Sequence, residues 1–162
     1  MKDMKEIVTK LVNIEKKISN KKGSFNLFAL FLREGNERQW DILVASKWID
    51  RDKYKSLKYI ASNIQKSLTE EELLGVSGIE IIDHNNLALD ELYTIIKKDT
   101  EHSIVELSNF KFFGIMIQYA YIITSKKPGS LHYSSSIENV GVVNWVDASG
   151  NNIYPDQNIN MT

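Results

Sequence analysis

The sequence predicts an α+β fold: a mixed or mostly antiparallel sheet of about five strands, helices packed on at least one face, and a C-terminal β-hairpin. Three observations lead there. Apolar residues recur at spacings of three and four near the N-terminus and again around residues 54–64, the period of a helix packed on one side. Short runs rich in Ile, Val, Phe and Tyr, bounded by polar turn residues, have the character of strands instead. The segments follow in the order helix, strand, strand, helix, short helix, strand, helix, strand, strand, which departs from the regular alternation of an all-parallel sheet.

Met4, Ile7, Val8, Leu11, Ile14 and Ile18 make one stripe of a helix over about residues 3–19, and Gly23 suits the left-handed conformation that follows many helices. FNLFALFL, residues 25–32, is nearly all apolar and reads as a strand covered on both faces. After the polar turn REGNERQ, WDILVA returns as its antiparallel partner, with Trp40, Ile42 and Val44 on one face and Asp41, Leu43 and Ala45 on the other. Asp50 is the expected N-cap of a helix that ends by Ser67 and turns Tyr54, Leu57, Ile60, Ala61 and Ile64 inward. Thr69 with Glu72 is a capping box for a short helix closed by Gly75 or Gly78.

IEIID, residues 79–83, is the third strand. A helix over about 87–97 follows, capped from Asn85 or Asn86, with Ala88, Leu92, Ile95 and Ile96 inward. Strands at 103–107 and at about 112–124 complete the sheet, the second of them central. Phe110, Phe112 and Phe113 are expected to fill the core, and Tyr119 and Tyr121 to share a face with Ile115 and Ile117. Residues 1–126 make one α+β domain. Residues 127–162 comprise a serine-rich linker, a hairpin around VGVVNWV and a polar tail, packed on that domain or on a partner.

Composition narrows the function. The absence of cysteine excludes disulfides, thiolate metal sites and a cysteine nucleophile, and fits a reducing interior. The charged N-terminus lacks the apolar run of a secretory signal, and the longest apolar stretch, 112–123, is broken by Gln118 and falls short of the ~20 residues that span a membrane. A cytoplasmic protein without membrane contact is expected. The formal charge of −1 hides polarity: +4 over residues 1–23, +4 over 47–66 and −7 over 68–91. A pI near 6.3 and no single long basic surface in the sequence argue against nucleic acid.

Asp83-His84, where an apolar run stops at an acid and a histidine, comes nearest to a chemical motif. With Asp41 and Glu80 these residues could form an acid cluster in a metal-dependent hydrolase or phosphodiesterase of nuclease type. Asp41 and Asp83 would hold a divalent metal, and Lys47 would stabilise a developing negative charge. Against this, neighbours in extended chain point to opposite faces, and Ala45-Ser46-Lys47 lacks the acid that the nuclease pattern places two residues before its lysine. His102 and His132 have no spaced second ligand, and GxGxxG, P-loop, GxSxG and HExxH are all absent. The favoured expectation is a non-enzymatic interaction or regulatory module without cofactor, self-associating through sheet edges or the C-terminal hairpin, with Asp83-His84 as a structural corner.

Overall fold

The N-terminal apolar stripe becomes α1 (Met4–Lys22), which buries Met4, Ile7, Val8, Leu11, Ile14 and Ile18. The computed structural model describes residues 4–35, 38–97 and 100–127, all in one compact unit within 1–127. The linker, hairpin and tail expected from residue 128 onward lie outside the described residues. After α1 come β1 (Leu27–Arg33), β2 (Trp40–Ala45), α2 (Lys47–Arg51), α3 (Lys53–Ser67), α4 (Glu70–Leu74), β3 (Val76–Ile81), α5 (Leu87–Ile96), β4 (Thr100–Phe112) and β5 (Ile115–Ser125). The strands form one mixed sheet in the order β3-β2-β1-β5-β4, antiparallel except for the parallel pair β2–β3. The α+β expectation holds.

Two cores lie on the two faces of this sheet. Phe28, Leu30, Leu32, Trp40, Ile42, Val44 and Ile123 join the apolar side chains of α1 and α3 on the first face, where Trp40 also meets the rings of Tyr119 and Tyr121. Leu27, Ala29, Phe31, Leu43, Ala45, Phe112, Ile117, Ala120 and Ile122 form the second core, to which α5 adds Ala88, Leu89 and Leu92. A central strand covered on both sides has no wet face, which is why the run in β1 is unbroken.

Several elements differ from expectation, each for a local reason. The helix expected from Asp50 is two helices: Ser46 caps α2 by accepting from the Trp48 N–H, and Asp52 caps α3 by accepting from the Lys55 N–H. β3 spans 76–81, so Asp83 lies beyond its end. In α5 Leu89 is buried while Ile95 is exposed. Tyr119 and Tyr121 part from Ile115 and Ile117, because the β1–β5 register passes from Leu32↔Tyr119 to Arg33↔Ile117 and skips Gln118. One extra residue turns the following side chains to the other face. Phe113, at φ 57, occupies the turn with Gly114 and is 52% exposed instead of joining the core.

One charged residue sits inside. Glu15, four residues after Leu11 and three before Ile18, falls within the stripe and is 0% exposed. The Thr124 hydroxyl donates to it at 2.8 Å, and Nε2 of His102 lies 2.5 Å from its Oε1. His102 reaches α1 from an irregularity in β4 between the pairs Glu101↔Thr124 and Val105↔Ile122, at a φ of 64. Burial pushes the Glu15 carboxyl above its ordinary value, with Thr124 and His102 pulling the other way.

A carboxyl raised by folding stabilises the fold below its ordinary value of 4.5, and that contribution is lost as pH climbs through the folded value. Glu15→Gln keeps an acceptor for Thr124 and removes the charge, so urea unfolding should show the variant gaining on wild type as pH rises from about 4 to 7. A pH-independent difference would contradict this. Gly23 holds a φ of 122, and a Cβ there would lie 3.3 Å from Cδ1 of Trp48, whose ring N–H donates to the Gly23 carbonyl at 3.0 Å. Gly23→Ala should lower stability by about 1–2 kcal/mol in the same measurement, whereas an unchanged midpoint would contradict strain at this turn.

Candidate functional site

The residues expected to act together fall into two places. At the carboxyl ends of β2 and β3, Asp83 binds Lys53 at 2.5 Å, with both side chains half exposed. That hydrogen bond raises the Lys53 ammonium above its ordinary value. His84 turns elsewhere: its N–H donates to Oδ2 of Asp50 at 2.9 Å, and its ring Nδ1 lies 2.6 Å from the same oxygen. Asn86 then caps α5 by accepting from the Ala88 N–H at 2.9 Å. Asp83 and His84 thus have separate partners on α3 and α2, and Lys47, the first residue of α2, has no bond to either acid. The arrangement ties the β3–α5 connection down to α2.

Asp41 and Glu80 lie on the other side of the molecule's chemistry, lining one groove on the second sheet face. Arg33, last in β1, donates from Nε to Oδ2 of Asp41 at 2.6 Å and from Nη2 to Oδ1 at 3.4 Å, and the Ser77 hydroxyl also donates to Oδ1. Both carboxylate oxygens are therefore engaged, which leaves Asp41 poorly placed to ligate a cation. Around this pair is a cavity of about 240 Å3 whose floor is Phe31, Leu43, Ile82, Phe112 and Ile117 and whose lip carries Phe113 and Ile115. No residue of α5 lines it, although Ala88, Leu89 and Leu92 of α5 belong to the core on the same face.

Chemically the groove is a binding surface with few reactive groups. Its floor is aromatic and aliphatic, and the polar groups of its wall are a guanidinium–carboxylate pair and Glu80. Among the described residues no three His, Asp or Glu side chains gather in a way that could hold a metal ion. Neither Arg33 nor Ser77 belongs to a sequence motif, and the fold brings them to Asp41. The signal for Arg33 was present in the hairpin register, since Phe31 pairs with Asp41 and Arg33, two residues on, shares its face diagonally.

Comparison with known proteins adds no assignment: no family model, no curated protein and no solved structure matches this chain. The corner makes its own prediction. Asp50→Ala leaves the His84 N–H without its acceptor and should cost about 1–2 kcal/mol in chemical denaturation. Asp83→Ala should stay within about 0.5 kcal/mol, because its ion pair is half exposed. Equal losses would contradict the division of labour between the two acids.

Proposed function

We propose that the protein is a non-enzymatic, intracellular interaction module that self-associates through the open end of its second sheet face. The observation that carries this reading is that Phe113 and Ile115, 52% and 48% exposed, stand at the lip of the same apolar groove they help to line. Protruding apolar side chains next to an apolar hollow are what a two-fold interface requires, since each copy then offers both the knob and the hole. Arg33 and Glu80 bring both signs of charge to the surface, so opposite charges can face across such an axis.

Face-to-face docking fits better than edge pairing. The outer edge of β4 is interrupted by left-handed residues at His102 and Asn109 and carries Glu101, Glu106 and Lys111, features that blunt a strand edge. β3, the other edge, has six residues. The metal-dependent hydrolase has less support, because Asp83 and His84 are engaged away from Asp41 and Glu80.

Burying the exposed halves of Phe113 and Ile115 in both copies contributes roughly 1 kcal/mol per side chain, which predicts a weak dimer. Light scattering on the full chain should therefore show mass rising toward twice the monomer only as concentration reaches the millimolar range, about 1 mM. Phe113→Asp should hold it at the monomer mass. A wild-type chain that stays monomeric throughout, or a variant that associates equally well, would overturn the proposal.

A further inference from the structure

The sequence carries +4 in each of two separate segments, and the fold joins them into one surface. α1 packs along α3 on the first sheet face, with Nζ of Lys22 lying 4.9 Å above the Tyr59 ring. Both helices turn their apolar side chains to the sheet, so their outer faces share one layer. Lys16, Lys17 and Lys21 on α1 and Lys55, Lys58 and Lys66 on α3 are exposed, and no carboxylate among the described residues pairs with them. Three of the acids on these helices are engaged inward or locally: Glu15 faces His102, Asp50 holds His84, and Asp52 caps α3, while exposed Glu6 lies in the first turn of α1, away from Lys16, Lys17 and Lys21 near its other end. The −7 segment is placed in α4, β3 and α5.

We infer that the outer face of the α1–α3 layer binds the phosphate backbone of a nucleic acid. Magnitudes decide the kind of partner. Against an ordinary acidic protein, exposed lysine pairs give about 0–1 kcal/mol each, and the hollow between the two helices, lined by Lys10, Asn13, Ile14, Lys17 and Ser67, offers a single aliphatic side chain to anchor a hot spot. Against an anionic membrane each lysine gives about 1 kcal/mol, but lasting attachment needs a second, apolar signal, and the aliphatic side chains of both helices point inward. Against nucleic acid, every lysine that replaces a condensed counterion adds to affinity without any apolar contact. The 19 residues of α1 extend about 28 Å, long enough to follow several phosphates. Tyr54, 72% exposed with Nζ of Lys58 lying 5.2 Å from its ring, presents an aromatic ring on which an unpaired base stacks.

Fluorescence anisotropy of a labelled 20-base single strand and a 20-base-pair duplex, titrated with the full chain at a series of salt concentrations, tests this. Binding is expected at about 50 mM salt, with log K falling against log salt by about 0.9 for each duplex phosphate engaged, hence a slope near −4 or steeper. Lys17→Gln and Lys58→Gln should each make the slope shallower by about 1. Lys97→Gln, beyond the end of α5, should leave it unchanged. No binding to either oligonucleotide at that salt, a slope altered equally by all three substitutions, or co-sedimentation with phosphatidylserine vesicles in place of nucleic-acid binding would each overturn the inference.

Discussion

The structure depends on a strand that must be kept dry on both sides. From Leu27 to Leu32, β1 buries six consecutive residues, so the sheet needs two covers. The first is long and continuous, built from α1 and α3. The second is α5, whose ten residues extend only about 15 Å, while the 13 residues of β4 extend about 43 Å. A cover of that length cannot reach the far end of the β4–β5 hairpin. The groove around Arg33 and Asp41, with Phe113 and Ile115 at its lip, is a direct consequence of that mismatch.

Acidic residues in this fold are largely committed to holding it together. Glu72 closes its capping box with the Thr69 N–H and also receives Nζ of Lys10, both at 2.8 Å. Asp41 is engaged with Arg33, Asp50 with His84, Asp52 with the start of α3 and Asp83 with Lys53. The bonds to the His84 N–H and to the N-terminal N–H groups of α3 and α4 satisfy backbone donors, while the half-exposed Asp83–Lys53 pair adds little. Residues resembling catalytic acids in the sequence thus become ties of unequal strength in three dimensions. The same commitment leaves Lys16, Lys17 and Lys21 of α1 and Lys55, Lys58 and Lys66 of α3 without acidic partners among the described residues, and so the two faces of the sheet differ: one apolar and part-covered, the other closed and basic.

How much was legible follows the range of each interaction. The α1 stripe, the Thr69–Glu72 box, the Asn86 cap and the alternation of β2 depend on residues at most a few positions apart, and all four appear as expected. Asp50 reads locally as a cap, since nothing in the nearby pattern distinguishes it from Ser46 or Asp52, whereas its partner in the fold, His84, is 34 residues away. The skip at Gln118 was equally hidden, since a bulge is defined by the neighbouring strand. Glu15 could have been found: a glutamate at stripe spacing from Leu11 and Ile18 must be buried with a partner, and only its partners, His102 and Thr124, were out of reach. Of the groove, the Arg33–Asp41 diagonal was available from the hairpin, whereas the contribution of Phe112 and Ile117 required the strand order.

The most direct test is the exposure of single methyl groups. With isoleucine methyls labelled, a soluble paramagnetic probe should broaden Ile115 strongly in dilute protein and leave buried Ile122 untouched. If the open end of the sheet is where a second copy docks, Ile115 should become protected as protein concentration rises, while exposed Ile104 on β4 does not change. Broadening of Ile115 that is the same at every concentration would contradict it.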